Sequence, residues 1–171
     1  MMNAARGRAA AGWLSGLIVG ALALAEPARA AGGGWRKPLQ RAEAALALGD
    51  ARGAELIWQD AYRMAMRVRT PEALLDVGRA YLRIGEAAHD RQTAVARARR
   101  LFLEALVQAR ERRDAEALTD VGEAFASLGD HHVAHRAFDA ALVLATQPRD
   151  AAARSRLAEL RARSGYATRT P

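Results

Sequence analysis

Two stretches of the chain, EALLDVGRAYLRIGE at 72–86 and EALTDVGEAFASLGD at 116–130, align with each other at a constant offset of 44 residues. Downstream the offset becomes 36, so the earlier copy holds eight additional residues between its two aligned parts. Two copies in register indicate a repeat protein, in which each repeat is a small unit that packs on its neighbours. The pairs that carry the match are Leu74 with Leu118, Val77 with Val121, Gly78 with Gly122, Tyr81 with Phe125, Ala98 with Ala134, Phe102 with Phe138 and Ala105 with Ala141.

A third copy lies upstream, at an offset of 80 residues from the last one. Its Leu-Gly-Asp sequence at 48–50 and its Trp58 align with 128–130 and Phe138. The first half of this copy departs from the pattern, because Pro38 and its neighbours replace the Leu, Val, Gly and aromatic positions of the other copies. We therefore expect the first repeat to be a degenerate or capping unit.

The aligned residues have the sizes that a pair of packed helices needs. Small residues such as Gly78 and Ala98 let two helices approach closely, and aromatic residues such as Phe102 fill the space next to them. Leu-Gly-Asp provides a helix end at Gly and an N-cap for the next helix at Asp. Ala, Leu and Arg dominate the composition and alternating β-branched runs are absent, which favours helices over strands. The chain is therefore predicted to be all-α.

These features resemble the tetratricopeptide repeat, a helix–turn–helix unit of about 34 residues. The resemblance implies a short α-solenoid of three antiparallel helix hairpins with a C-terminal capping helix. The repeats span 35–70, 71–114 and 115–148, the capping helix spans 149–163, and a tail follows at 164–171. The additional residues, near 86–97, form either a loop or extra helical turns, and their Ala- and Arg-rich sequence favours a longer hairpin.

The start of the chain reads as a secretion signal, at 1–30, rather than as part of the fold. Basic residues precede an uncharged apolar run at 9–25, and Ala-Arg-Ala at 28–30 fits the small-x-small rule for cleavage. We expect cleavage after Ala30, a flexible leader at 31–34, and a periplasmic or secreted protein. An uncleaved signal anchor is the rival, and only in that case is membrane contact expected. The chain has no cysteine, so its stability must come from helix packing alone.

The resemblance also implies where a partner binds. In tetratricopeptide repeats the first helices of the hairpins line a groove, and fixed positions of each repeat point into it. Carried over to this chain, the partner-binding groove comprises Leu39, Glu43, Leu75, Arg79, Leu82, Arg83, Thr119 and Glu123. Such a face suits an extended or helical protein segment that carries apolar residues and a charge of either sign. The alternative is that the leucines simply complete the packing of a three-hairpin domain.

No motif in the sequence predicts catalysis or a cofactor. Phosphate-binding loops, nucleophile elbows and zinc-protease motifs are absent, and no cysteine is available as a nucleophile. His131, His135 and Asp139 have a helical spacing that can hold a metal, but the other copies lack this feature and no metal site is expected. The Arg-rich segments at 97–100 and 110–113 are expected to form a solvated helix face rather than a nucleic-acid surface, since stacking aromatics do not flank them.

The expected function is that of an exported scaffold or adaptor that mediates protein–protein interaction in the cell envelope, without enzyme activity. The alternative is a periplasmic carrier or sensor of a small apolar or anionic ligand held between the helices. A third possibility is a self-stacking array, because repeat proteins expose end faces that can dimerise. The identity of the partner and the oligomeric state stay open at the level of the sequence.

Overall fold

The computed structural model describes residues 33–145 and 151–163, and within those ranges the chain forms helices and no strands. The described protein is therefore all-α, as the sequence predicts. The secretion signal with its cleavage point after Ala30, the boundary at Pro148 and the tail at 164–171 lie outside the described residues. Among the helices that are described, none has the length and apolar content that a membrane span requires.

Six of the described helices form three antiparallel hairpins, and a seventh helix follows them. Their bounds are α1 Arg36–Ala47, α2 Ala51–Val68, α3 Pro71–Ala87, α4 Arg91–Glu111, α5 Ala115–Ser127, α6 His131–Leu144 and α7 Ala151–Arg163. The first helices of the hairpins contact one another, α1 with α3 and α3 with α5, while α7 contacts α5 and α6. The backbones of α2 and α4 lie further apart and make little or no direct contact within the described residues.

Each of the two aligned hairpins is closed by a glycine that faces a phenylalanine ring. A Cβ at Gly78 would stand 2.5 Å from Cε1 of Phe102, and a Cβ at Gly122 would clash with the same atom of Phe138. Both rings are buried, so they have no room to move aside. The repeated glycine therefore lets the first and second helices of a hairpin approach as closely as the ring allows.

The hairpin turns share one chemistry, in which a residue with positive φ precedes an aspartate. Gly49 and Gly129 occupy this left-handed conformation at φ values of 79° and 80°. Glycine suits the position because it has no Cβ to clash with the backbone. After Gly49, the carboxylate of Asp50 accepts a hydrogen bond of 2.7 Å from the backbone N–H of Gly53 and so caps α2.

Gly85, which aligns with Gly129, lies inside α3, where the side chain of Ala94 leaves no room for a Cβ. The predicted N-cap at Asp130 is wrong, because Asp130 makes no side-chain cap on α6. Its carboxylate instead accepts two hydrogen bonds from Arg99, of 2.7 and 2.8 Å. A charged partner on the neighbouring hairpin thus replaces the local backbone N–H as the donor.

The additional residues of the second repeat extend both helices of its hairpin. The helices α3 and α4 contain 17 and 21 residues, whereas α5 and α6 contain 13 and 14. The carboxylate of Asp90 accepts a hydrogen bond from the N–H of Thr93 and begins α4 one turn after the end of α3. The longer hairpin favoured by the sequence is therefore confirmed.

The first repeat forms a complete hairpin although its first half departs from the sequence pattern. Trp35, directly before α1, is 3% exposed, and its indole N–H donates a hydrogen bond of 3.0 Å to the carboxylate of Asp76 in α3. Trp58 in α2 is also buried, and its indole N–H donates to the carbonyl oxygen of Val77 at 2.8 Å. Two tryptophans therefore dock the first hairpin on the second through both apolar contact and a hydrogen bond.

Candidate functional site

A cleft of about 290 Å³ lies between α1 and α3, on the side where the first helices of the hairpins contact one another. Its size is near the lower end of the range for ligand clefts, roughly 300 to 1,000 Å³. We call its lining the front face, and it consists of Arg36, Leu39, Gln40, Glu43, Asp76, Arg79 and Arg83. Four of these residues belong to α1 and three to α3, so the face exists only where two repeats meet.

Three of the eight residues predicted to bind a partner lie in the core. Leu39, Leu75 and Thr119 are 7%, 2% and 6% exposed. The hydroxyl of Thr119 donates a hydrogen bond of 2.8 Å to the carbonyl oxygen of Ala115, one turn earlier in α5. These residues occupy the same position of each repeat, and the side-by-side packing of α1, α3 and α5 covers that position. Leu75 and Thr119 therefore do not line the cleft, while Leu39 contributes a largely buried apolar side chain to its lining.

Four of the remaining five predicted residues are charged, and each of the four makes a polar contact within the described domain. Glu43 and Arg83 form an ion pair between α1 and α3. Arg79 donates a hydrogen bond of 3.3 Å to the backbone carbonyl oxygen of Asp120 in α5. Glu123 accepts one of 2.9 Å from Arg156 in α7. The fifth residue, Leu82, is half-buried and packs against the core.

Charge pairs link α1 to α3 and α5 to α7 along this side of the domain. Arg36 in α1 pairs with Glu72 in α3 and lies 3.9 Å from the carboxylate of Asp76. Arg156 in α7 approaches both Glu123 and Asp120 in α5. Because these pairs are exposed to water, each contributes little to stability, about 0 to 1 kcal/mol. The lining of the front face carries a small positive excess, because it contains more arginines (Arg36, Arg79, Arg83) than acids (Glu43, Asp76).

The carboxyl of Asp120 in α5 has a shifted pKa. Burial raises the pKa of its carboxyl above the usual value, although the nearby Arg79 and Arg156 act in the opposite direction. The hydrogen bond from Arg156 to Glu123 raises the pKa of the Arg156 guanidinium. Arg79 differs from Arg36, Arg83 and Arg156, because its hydrogen bond goes to a carbonyl oxygen rather than to a carboxylate.

Three residues that shape this side of the domain were not predicted from the sequence. Gln40 and Asp76 line the cleft, and Arg156 contacts α5 from α7. Gln40 lies one helical turn from Arg36 and from Glu43, so the helical period alone points to it. Asp76 lies one helical turn from Arg79, so the same period points to it, whereas Arg156 carries no such signal because its contacts are made to another helix.

The histidine cluster of α6 is divided between surface and core. His131 is exposed, whereas His135 is 9% exposed and lies edge-on to the ring of Phe138. Burial lowers the pKa of His135, and the charge of Arg161 lowers it further. Within the described residues, no group of three or more His, Cys, Asp or Glu side chains is arranged to hold a metal ion. The helical spacing of His131, His135 and Asp139 therefore does not produce a converging ligand set.

Comparison with known proteins adds no further constraint on the site. No protein-family model matches the chain, and no curated protein matches it significantly. The features of the molecule that bear on its function are the hairpin architecture, the front face and the sequence pattern that repeats along the chain.

Proposed function

We propose that this protein is an adaptor of the tetratricopeptide repeat type, which is exported to the cell envelope and binds a segment of a protein partner on its front face. The observation that carries the proposal is the cleft between α1 and α3, because it lies where the first helices of two repeats meet. Export rests on the secretion signal that the sequence predicts at 1–30.

We propose that Arg79 is the residue of this protein that holds the partner segment. This side chain is half-buried beside the cleft, and its hydrogen bond to a carbonyl oxygen leaves other N–H groups of the guanidinium available for a carboxylate. Gln40, on the other wall of the cleft, offers an amide that can donate or accept. The half-buried Leu82 lies one turn from Arg79 and adds an apolar contact. The partner segment therefore combines an acidic side chain with an apolar one.

The face fits a binding role better than a catalytic one. Both of its carboxylates have partners, since Glu43 pairs with Arg83 and Asp76 accepts a hydrogen bond from the indole N–H of Trp35. A general base needs a carboxylate or imidazole that is free to take a proton from a substrate, and paired surface carboxylates are poorly suited to that task. The proposal accordingly includes no catalytic residue and no cofactor.

The test compares Arg79→Gln with Arg41→Gln as bait in an extract of the cell envelope. Arg41 is an exposed arginine of α1 that does not line the cleft. Its replacement therefore removes one positive charge, as Arg79→Gln does, but at a position outside the proposed site. We expect the wild type and Arg41→Gln to retain a protein in stoichiometric amount. Arg79→Gln should bind the same protein about tenfold more weakly, since a hydrogen bond to a charged group is worth about 1.5 to 3 kcal/mol.

Circular dichroism of both variants should show unchanged helix content, because the two side chains lie outside the buried core. If Arg79→Gln and the wild type retained the partner protein equally, the front face would not be its binding site. Failure of the wild type to retain any protein in stoichiometric amount would argue against an adaptor altogether.

A further inference from the structure

A second and larger cleft, which we call the back cleft, lies between α2 and α4. Its volume is about 500 Å³, which is within the range of roughly 300 to 1,000 Å³ that small-molecule sites occupy. The cleft exists because the backbones of these two helices stay apart while the first helices of the same hairpins are in contact. Side chains rather than backbone therefore define its walls, and those side chains decide what fits.

The floor of the back cleft is aromatic and held in place. The indole of Trp58 is 2% exposed, and its hydrogen bond to Val77 fixes the orientation of the ring. The ring of Tyr62 stacks on it with centroids 5.1 Å apart and an interplanar angle of 24°. Met66 and Leu101 continue the apolar lining on either side. An apolar ligand body would meet a surface that needs no rearrangement, which favours binding.

The charges around the back cleft favour an anion. Arg97 and Arg100 line the cleft, and both are exposed. The guanidinium of Arg97 lies 4.7 Å from the ring centroid of Tyr81 and 5.6 Å from that of Trp58, so cation–π contacts position it at the edge of the cleft. Glu104 is the acid among the lining residues, and it already pairs with Arg69 of the loop before α3.

We propose that the back cleft binds a small amphipathic carboxylate. Arg97 and Arg100 receive the carboxylate, for which the planar guanidinium offers paired donors. The apolar body of the ligand lies on the floor formed by Trp58, Tyr62, Met66 and Leu101. The proposal is independent of the front face, since the two clefts share no lining residue. It gives the protein a ligand site in addition to a surface for a protein partner.

The first experiment is a calorimetric titration of the full chain with decanoate. Two probes of the same chain length serve as controls, namely decanol, which lacks the charge, and decyltrimethylammonium, which reverses it. We expect decanoate to bind at one site per chain, decanol about tenfold more weakly, and the cation without saturation, because the arginines recognise the carboxylate. Equal affinity for decanoate and decanol would show an apolar crevice without anion recognition and would overturn the proposal.

The second experiment places the site with variants. Arg100→Gln is expected to weaken decanoate binding about tenfold, whereas Arg41→Gln should leave it unchanged, because Arg41 does not line the back cleft. Backbone amide shifts on addition of decanoate to the wild type should concentrate in α2 and α4. Shifts confined to other helices, or an unchanged affinity in Arg100→Gln, would reject the site. So would binding to vesicles of anionic lipid without binding to monomeric decanoate, since that result points to a membrane surface.

Discussion

At the scale of single residues, glycine positions in this protein answer two different steric demands. Gly78 stands where the ring of Phe102 leaves no space for a Cβ. Gly49 stands in an open turn at a φ of 79°, where the backbone rather than a neighbour excludes a side chain. In other turns between helices, residues that carry a Cβ occupy this left-handed conformation, namely His89 at a φ of 57° and Arg113 at a φ of 54°. A residue with a Cβ is strained in that conformation.

This strain predicts that His89→Gly stabilises the protein. His89 is exposed, so the substitution removes little contact, and relief of the left-handed conformation should raise the free energy of unfolding by about 0.5 to 1 kcal/mol. The midpoint of urea denaturation measures the change. The reverse exchange, Gly49→Ala, serves as the matched control and should destabilise by about 1 kcal/mol. A lower midpoint for His89→Gly would mean that its side chain makes a contact stronger than the strain.

At the scale of helices, aspartates at the start of the second helices use their carboxylates in two ways. Asp50 and Asp90 accept hydrogen bonds from backbone N–H groups of the helices that they begin. Asp130 gives its carboxylate to Arg99 of α4 and so joins the second hairpin to the third. An aspartate at the start of a second helix therefore serves either that helix alone or the contact between two hairpins.

The two roles predict different results in a double-mutant cycle. Asp130→Ala and Arg99→Ala should show a coupling free energy of about 0.5 to 1 kcal/mol, because the pair is bidentate but partly exposed. Asp50→Ala should cost about 1 kcal/mol through loss of its cap and should be additive with Arg99→Ala. Urea denaturation of the single and double variants provides the four free energies of each cycle. Additivity of the Asp130 and Arg99 replacements would show that their pairing contributes nothing to stability.

At the scale of the whole described domain, α7 closes the array at its C-terminal end. Leu157 of α7 is 2% exposed, and it belongs to the same core cluster as the rings of the third hairpin. Two ion pairs reinforce this contact, from Arg156 to Glu123 and from Arg161 to Asp139. A repeat protein is stabilised by contacts between neighbours, so a terminal helix protects the hairpin beside it.

The closing role of α7 predicts that Leu157→Ala destabilises by about 2 to 4 kcal/mol, through loss of buried apolar contact and the cavity that remains. Hydrogen exchange should accelerate first in α5 and α6, because these helices contact α7 directly. Leu103→Ala is the matched control: Leu103 is 45% exposed, and its loss should change stability by no more than about 0.5 kcal/mol. Uniform acceleration along all hairpins would indicate that the domain unfolds as one unit instead.

Much of the fold was predictable because the signals that carry it are local or repeat along the chain. Aligning the two copies equates Gly78 with Gly122 and Phe102 with Phe138, which singles out the small residues and the rings, and the structure then shows each glycine against its ring. The start of α3 follows from Thr70 and Pro71, which cap and begin a helix for reasons of backbone chemistry alone. The first hairpin was harder to recognise, since Trp35 and Trp58 hold it by contacts to α3.

The candidate sites were less predictable because burial and pairing depend on helices that are distant in the sequence. The helical period places Leu39 and Leu75 on the face of a first helix, but the contact of that helix with its neighbour decides that both are core residues. The sequence does not reveal that Arg79 and Arg97 have different surroundings. Arg79 lies beside a carbonyl oxygen of α5, whereas Arg97 lies over two aromatic rings. Local chemistry determines the hairpins, whereas the packing of one hairpin on the next determines the two clefts.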